Sequence, residues 1–335
     1  MQLGIQPNFI VCRSNEPLGD KAKEKIALFS SVKKERVIDD SDRGMIYQLP
    51  LHLLGQRFDR LLLQDLGLSG RKIDNGRVGR WRSTVESISS PKRRVNIAIV
   101  GKYTDLKDSY ISVKEALTHA GAKNGVKVAL NWIESTRLEG DGMRALDDAD
   151  GILVPGGFGV RGTEGMINAI RYARENRIPF LGLCFGMQMM VIEYARNVCG
   201  MKSATSSEFD AKARYKLIDI MESQRDIKER GGTMRLGAWS ARLKKGTNAY
   251  RAYGSTNISE RHRHRYEVNN RYRGVLERNG LIISGTTPNN HIVEITEWKN
   301  SFGVGTQAHP ELKSRLERPA PLFVSFIEKA AARSN

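Results

Sequence analysis

The sequence predicts an α/β protein in which helices flank a mostly parallel sheet that carries an antiparallel extension. Apolar, β-rich runs alternate with helix-like runs from residue 95 onward, which is the pattern of βαβ units. Hairpin signals replace this alternation from residue 216 onward. A shorter, partial α/β piece precedes both regions.

The length of 335 residues suits two domains better than one core. We interpret residues 1–68 as the end of a larger α/β domain, residues 69–94 as a basic linker, and residues 95–335 as a second domain. In the first segment, strands are predicted at "NFIVCRS" and "KERVID", and helices at "GDKAKEKIALFS" and on both sides of Pro50. About seventy residues would bury only a thin core.

The positive charge of the chain is locally dense in one segment. The formal net charge is +17, and residues 70–94 mix many arginines and lysines with glycine, serine and proline. That mixture is typical of a linker, and the run lacks the alternating aromatics of a base-stacking surface. Nucleic-acid binding is therefore disfavoured, while a solvated surface or binding of phosphorylated small molecules both fit the charge.

Other compositional features narrow the class of protein. No apolar run approaches the ~20 residues of a membrane span, and the amino terminus lacks the pattern of a signal peptide. The three cysteines are too few for a disulfide scaffold and too far apart for a metal site. We expect a protein of the reducing cytoplasm with no bound metal.

The second domain is predicted element by element. Its parallel strands are "RVNIAIVGKY", "VKVALNWIE", "ADGILVPGGFG" and "IPFLGLC", and its helices "SYISVKEALTHAGAKNG", "EGMINAIRYARENR" and "GMQMMVIEYARNVCG". Strand signals follow in "LIDIM", "GGTMRLGAWSARL", "GLIISGTT", "HIVEITEW" and "FGVGTQAHPE", before the helix "PAPLFVSFIEKAAARSN". Sites in such sheets collect at the carboxyl ends of strands, where the glycine loop at 156–159 and Cys184 both fall.

The segment Gly182-Leu183-Cys184-Phe185-Gly186 has the form of a nucleophile on a sharp strand-to-helix turn. Small neighbours permit the crowding of such a turn, and the helix amino terminus favours a thiolate. The alternative is a buried structural cysteine, the usual state of a free cysteine.

A proton partner for this cysteine is predicted at the last strand. The string "TQAHPELK" supplies His309 to take and return the proton and Glu311 to orient the imidazole. The alternative for the tripeptide His309-Pro310-Glu311, taken alone, is a plain turn on the surface. Gly157, in "VPGGFGVRG", and the N–H of Phe185 are the predicted oxyanion donors, although a phosphate-binding loop or a plain turn has the same glycines.

These motifs together resemble a known family. "VPGGFG", "GLCFGMQ" and "AHPE" resemble the class I glutamine amidotransferases, which use a Cys-His-Glu triad. "NIAIVGKYTDLKDSYISVKEAL", "GGTMRLG" and "ERHRHRYEVNN" resemble the CTP synthase family in particular, and "GIQPNFIVCRS" resembles the end of its synthetase (amidoligase) domain. The resemblance covers nearly the whole chain and implies that residues 1–68 are a remnant of that synthetase domain.

The resemblance implies a role for individual residues. Cys184, His309 and Glu311 match the triad, and the implied glutamine contacts are Gly157, Phe185, Gly186, Met187, Gln188, Glu208 and Arg265. A carboxylate such as Glu208 suits the α-ammonium of glutamine, and a guanidinium such as Arg265 suits its α-carboxylate. A solvated basic strand or a nucleic-acid patch is the alternative interpretation of "RHRHR".

Nucleotide contacts are implied in the amino-terminal segment. Lys25 matches a UTP-site lysine, and Ser41, Asp42 and Arg43 match a segment near the ATP adenine, of which only Asp42 follows the family pattern. The family needs ATP, Mg²⁺ and a phosphate-binding glycine loop, and no G-x-x-x-x-G-K-[ST] motif occurs in the sequence. We therefore expect only the glutaminase half-reaction, with no cofactor in this chain, and expect that the chain is a truncated form or a fragment.

The implied partners are glutamine, with UTP, ATP and allosteric GTP in the complete enzyme, and other copies of the chain in a tetramer. Two other functions fit part of the sequence. One is a non-catalytic nucleotide-sensing or nucleic-acid-binding module, and the other is a related cysteine hydrolase acting on γ-glutamyl compounds.

Overall fold

The computed structural model describes residues 2–91, 93–104, 107–220 and 234–334. The chain divides into two compact units, Met1–Ser89 and Ser90–Asn335, which we describe separately. Gly231, Gly232 and Thr233 of the "GGTMRLG" string lie outside the described residues.

The first unit is built on two parallel strands and four helices. The strands pair in register from Ile10 with Val37 to Ser14 with Ser41. The elements are β1 (Ile10–Ser14), α1 (Asp20–Phe29), β2 (Val37–Ser41), α2 (Leu49–Gly55), α3 (Phe58–Asp65) and α4 (Asn75–Ser89). Its buried apolar residues are few, while many large apolar side chains, among them Leu28 and Phe29, are exposed. The core is as thin as the sequence predicts.

The chain is helical on both sides of Pro50, as predicted: a 3-10 helix at Ile46–Gln48 precedes α2, and Pro50 lies in the first turn of α2, where its missing N–H is not needed. One feature of this unit differs from the sequence interpretation. The segment interpreted as a linker contains the 15-residue helix α4. The indole N–H of Trp81 donates to the Tyr47 carbonyl (2.9 Å) and Val85 is buried, so tertiary contacts outweigh the loop-like composition.

The second unit is organised around one nine-stranded sheet. Its parallel strands are β3 (Arg93–Gly101), β4 (Val126–Glu134), β5 (Gly151–Val154), β6 (Phe180–Leu183) and β14 (Gly303–Thr306). Its other strands are β9 (Arg235–Leu243), β10 (Asn257–His264), β12 (Ile282–Thr286) and β13 (Val293–Glu297). The strand order is β10-β9-β12-β13-β14-β6-β5-β3-β4, in which neighbours from β14 to β4 pair in parallel and those from β10 to β14 pair antiparallel. The predicted class, a mostly parallel sheet with an antiparallel extension, is confirmed.

Helices cover both faces of this sheet because its central strands are apolar on both sides. In β3, Ile97 and Ile99 pack in one buried cluster, and Ala98 and Val100 pack in the other. The first cluster includes side chains of α5 (Ile111–Asn124) and α10 (Pro321–Arg333), the second those of α6 (Thr163–Glu175) and α7 (Phe185–Asn197). Burial on both faces explains why these strands lack polar alternation.

The extension and a small second sheet complete the unit. The extension comprises β9 (Arg235–Leu243), β10 (Asn257–His264), β12 (Ile282–Thr286) and β13 (Val293–Glu297), with α8 (Asn248–Tyr253) and α9 (Arg273–Arg278). The small sheet has the order β11-β8-β7, made of β7 (Ala204–Ser206), β8 (Tyr215–Ile220) and β11 (Tyr266–Val268). The strands β7, β10 and β11 are absent from the sequence-based assignment, because β7 and β11 have only three residues each and β10 is mostly polar.

Candidate active site

Cys184 occupies the sharp turn between β6 and α7. Its backbone angles are φ 49° and ψ −97°, a conformation that L-residues rarely adopt. The turn is held because the Cys184 N–H donates to the Thr306 carbonyl of β14 (2.7 Å), while its own carbonyl accepts from the Gln188 N–H (3.2 Å). Backbone strain of this kind concentrates at functional sites.

The two glycines around the cysteine are required by close approach of the backbone. A Cβ at Gly186 would overlap the Val154 carbonyl oxygen, and one at Gly182 would lie 2.8 Å from the Gly186 carbonyl carbon. Neither atom can move without displacing β5 or α7. The turn therefore depends on both glycines, as the sequence motif predicts.

His309 and Glu311 lie beside the cysteine because β14 is the parallel neighbour of β6, with Thr306 opposite Leu183. The His309 Nδ1 contacts Glu311 Oε1 at 2.7 Å, and the imidazole hydrogen-bonds to the Cys184 side chain. A carboxylate only accepts, so Nδ1 carries a proton and Nε2 faces the sulfur. Burial alone would lower the pKa of His309, but Cys184 and Glu311 outweigh it and hold that pKa well above its usual range.

The glycine loop that follows β5 is held in place by hydrogen bonds from Lys102. The Lys102 Nζ donates to the carbonyls of Phe158 and Gly159, and it lies 4.3 Å from the centroid of the Phe185 ring. Burial lowers the pKa of Lys102 to about 8, although nearby Glu208 opposes the effect. One side chain thus contacts both the glycine loop and the first residue of α7.

A cavity of about 800 Å³ opens above the cysteine and gathers most of the predicted site residues. Its lining includes the triad, the predicted oxyanion donors and three further predicted glutamine contacts, namely Cys184, His309, Glu311, Gly157, Phe185, Gln188, Glu208 and Arg265. The Glu208 carboxylate accepts from the Gly159 N–H (2.7 Å). Opposite charges at Glu208 and Arg265 on one cavity suit a zwitterionic ligand.

Two predicted glutamine contacts lie elsewhere. Met187 is fully buried in the core cluster of α6 and α7, and Gly186 packs against β5, so neither lines the cavity. They support the turn from beneath.

The "RHRHR" string is half buried, which removes the interpretation as a solvated basic strand. His262 and His264 of β10 are each only 3% exposed, while the intervening arginines face outward. The His262 Nε2 contacts Glu294 (2.7 Å), and Arg235 bridges from Glu294 (2.7 Å) to His264 Nε2 (3.3 Å). Burial lowers the pKa of His264 to about 3, so His264 is neutral and its Nδ1–H donates to the Tyr266 carbonyl (3.0 Å).

The sulfur has two polar neighbours that sequence reasoning missed. The Gln307 Nε2 lies 3.4 Å from Cys184 Sγ, and the Arg263 carbonyl lies 3.9 Å from it. The position of Gln307, two residues before His309 at the end of an apolar strand, was the available signal. Lys102 was also missed, and its available signal was likewise its position, directly after the last residue of β3.

The nucleotide residues implied by the resemblance lie in the first unit. Lys25 is exposed on α1, while Ser41 ends β2 and precedes Asp42 and Arg43. Ser41 Oγ and Arg43 Nη2 both contact the Asp39 carboxylate (3.1 and 3.3 Å), which brings two of these side chains together around one buried carboxylate.

Within the described ranges, no His, Cys, Asp or Glu side chains group as a set of three that could hold a metal ion. The same residues include no helix with the length and apolarity needed to cross a bilayer.

Two family models match the chain. Residues 105–329 match class I glutamine amidotransferases, and residues 1–68 match the CTP synthase N-terminus. The two matches lie in different compact units.

Curated proteins similar to the chain cover both matches. The chain is 51% identical over 333 residues to a CTP synthase of Methanocaldococcus jannaschii. The matched region covers 97% of this chain and 61% of that protein. The chain is 48% identical over 334 residues to a CTP synthase of Sulfolobus acidocaldarius, covering 99% and 62%. The chain thus spans about six-tenths of the length of these relatives.

A solved structure agrees with these similarities. The Trypanosoma brucei CTPS glutaminase domain with bound acivicin superimposes with a TM-score of 0.67 and 39% identity, covering 71% of this chain and 94% of that one. The chain belongs to the class I glutamine amidotransferase family, in its CTP synthase branch.

Proposed function

We propose that the second unit hydrolyses glutamine to glutamate and ammonia with Cys184 as the nucleophile. One observation carries the proposal: the cysteine on the strained turn and the hydrogen-bonded His309–Glu311 pair line the same cavity. A buried structural cysteine would need neither the strain nor the imidazole beside it.

In the proposed mechanism, the Cys184 sulfur attacks the side-chain amide carbon of glutamine. The carbonyl oxygen becomes an oxyanion held by the Gly157 and Phe185 N–H groups. His309, kept protonated by its neighbours, gives its proton to the departing nitrogen, so ammonia leaves and a thioester remains. His309 then takes a proton from water, the resulting hydroxide attacks the thioester, and glutamate leaves as the sulfur is released.

Selectivity for free glutamine is proposed to come from both ends of the cavity. Glu208 is positioned to receive the α-ammonium and Arg265 the α-carboxylate. The cavity wall adds the Gln188 side chain and the backbone of Phe185, while Gly186 and Met187 act through the turn that they support.

For the complete enzyme, we propose the family reaction, in which ammonia aminates UTP to CTP with ATP and Mg²⁺. Lys25 is the proposed UTP contact, and Ser41, Asp42 and Arg43 are the proposed ATP contacts. Support for the second set is that Ser41 and Arg43 both contact the buried Asp39 carboxylate and that Asp42 lies between them in the chain. Activation by GTP, assembly as a tetramer and a cytoplasmic location complete the proposal. All three cysteines are free thiols, which suits a reducing compartment.

The proposal is tested by measuring glutamate release from glutamine by the purified chain. Cys184→Ala should abolish release, and Cys199→Ala, which changes another free thiol in the same unit, should leave it unchanged. Full activity in Cys184→Ala would exclude the mechanism. If acivicin protects Cys184 from alkylation by a second reagent such as iodoacetamide, acivicin occupies this cavity.

A further inference from the structure

We propose that Gln307 is a catalytic residue of this site, whose side-chain amide donates a hydrogen bond to the Cys184 sulfur and favours its thiolate form. This inference rests on the proposed function of Cys184 as the nucleophile. It adds a residue that precedes His309 in the chain and is distinct from the triad and from the oxyanion donors.

The contact is short and fully enclosed. The Gln307 Nε2 lies 3.4 Å from Cys184 Sγ, and Gln307 has no solvent exposure. A backbone group also lies near the sulfur: the Arg263 carbonyl, at 3.9 Å, only accepts and so serves the thiol. The amide is therefore the shorter contact and the one that serves the anion, and a hydrogen bond to a charged group is about twice as strong as a neutral one.

The orientation of the amide follows from its neighbours. The Tyr266 carbonyl can only accept, so the Gln188 side chain must present its Nε2 there (3.0 Å). The same Nε2 donates to Gln307 Oε1 (3.3 Å), so the oxygen of Gln307 faces Gln188 and its NH₂ group faces the sulfur. The assignment thus rests on a chain of obligatory donors and acceptors.

The backbone also holds Gln307 in place. Its N–H donates to the Glu294 carbonyl of β13 (2.8 Å), next to the last residue of β14. An amide at such a buried position costs free energy unless its donors are used. The contact of its side-chain NH₂ group with the Cys184 sulfur uses a donor that burial would otherwise make costly, which points to a role for the amide at the sulfur.

Gln307 and His309 would act differently on the sulfur. Both donate to a thiolate, but an amide keeps its proton, so Gln307 favours the negative charge without competing for the proton that His309 must carry. A thiolate held in this way is more populated and somewhat less nucleophilic. Loss of the amide should therefore reduce activity at low pH and leave it intact or raised at high pH.

The test measures alkylation of Cys184 by iodoacetamide against pH, resolved by peptide mass spectrometry, in the whole chain. Gln307→Met keeps the side-chain length without a donor, and Gln307→Glu keeps the shape and replaces the donor with an acceptor. Thr296→Val is the control, because Thr296 is equally buried and its hydroxyl contacts the thioether sulfur of Met190 and not the sulfur of Cys184.

We expect the midpoint of alkylation to rise by about 1 pH unit in Gln307→Met and by more in Gln307→Glu, with no change in Thr296→Val. The acid limb of kcat/KM for glutamate release should shift equally. Unchanged midpoints in both Gln307 variants, an equal shift in Thr296→Val, or loss of native circular dichroism in both Gln307 variants would overturn the inference. A shifted midpoint in a chain that releases no glutamate would instead reject the proposed function alone.

Discussion

At the scale of single residues, the site depends on the charge state of one imidazole. His309 is held between the Cys184 sulfur and the Glu311 carboxylate, and these two neighbours outweigh the burial that would otherwise favour the neutral ring. The raised pKa keeps a proton available for the leaving nitrogen at neutral pH. The activity should therefore fall on the alkaline side as His309 loses this proton.

Glu311→Gln should expose this dependence. The change removes the negative charge beside Nδ1, so the pKa of His309 falls and the alkaline limb of kcat/KM moves to lower pH. We expect a loss of kcat of about 100-fold or more. Glu260→Gln, a change at another buried carboxylate that contacts Tyr253, is the matched control and should leave the alkaline limb in place. An unmoved alkaline limb in Glu311→Gln would contradict the role given to Glu311.

The sequence indicated Cys184, His309 and Glu311 because each carries reactive chemistry at a recognisable spacing. Gln307 and Lys102 carry no such signal, since an amide and a lysine acquire their roles only from what they touch in the folded chain. The contact from Gln307 to the sulfur spans 123 positions of sequence. Such contacts follow from strand order, which periodicity does not reveal.

At the scale of elements, the strand-turn-helix of β6, Cys184 and α7 is the most constrained part of the fold. Gly186→Ala would place a methyl group against the Val154 carbonyl oxygen, which belongs to β5. We expect a destabilisation of about 1–3 kcal/mol or more and a loss of glutamate release of about 100-fold. Urea unfolding and the glutaminase assay measure the two effects.

Gly79→Ala provides the comparison for this change. Gly79 lies in α4, and a Cβ there would meet nothing within 4 Å. The alanine should stabilise the helix by up to about 1 kcal/mol and leave glutamate release unchanged. Retention of most of the activity in Gly186→Ala would show that the turn does not need the close approach.

The elements that sequence patterns predicted well are those that are buried on both faces. The central strands β3, β5 and β6 are continuous apolar runs, and their packing leaves little choice of structure. β10 was missed because its alternation is one of histidine and arginine, and burial of His262 and His264 depends on Glu294 from a distant strand.

At the scale of the whole molecule, the groups proposed for glutamine hydrolysis all belong to one compact unit. The cavity, the buried clusters on both sides of its sheet and every proposed glutamine contact lie within Ser90–Asn335. The first unit instead buries few apolar side chains. The stability of the site is therefore expected to come from the second unit.

A chain of residues 90–335 should accordingly fold and release glutamate at about the rate of the whole chain. Circular dichroism and the glutaminase assay are the measurements, with Cys184→Ala in the same shortened chain as the control. A shortened chain with native circular dichroism and no activity would show that the site needs residues of the first unit.

The most direct test of the central claim is interception of the thioester on Cys184. With glutamine and increasing hydroxylamine, the chain should form γ-glutamyl hydroxamate at the expense of glutamate, because hydroxylamine competes with water for the thioester. Cys184→Ala should form none. Release of ammonia and glutamate without hydroxamate at any hydroxylamine concentration, or hydroxamate formation by Cys184→Ala, would contradict covalent catalysis by this cysteine.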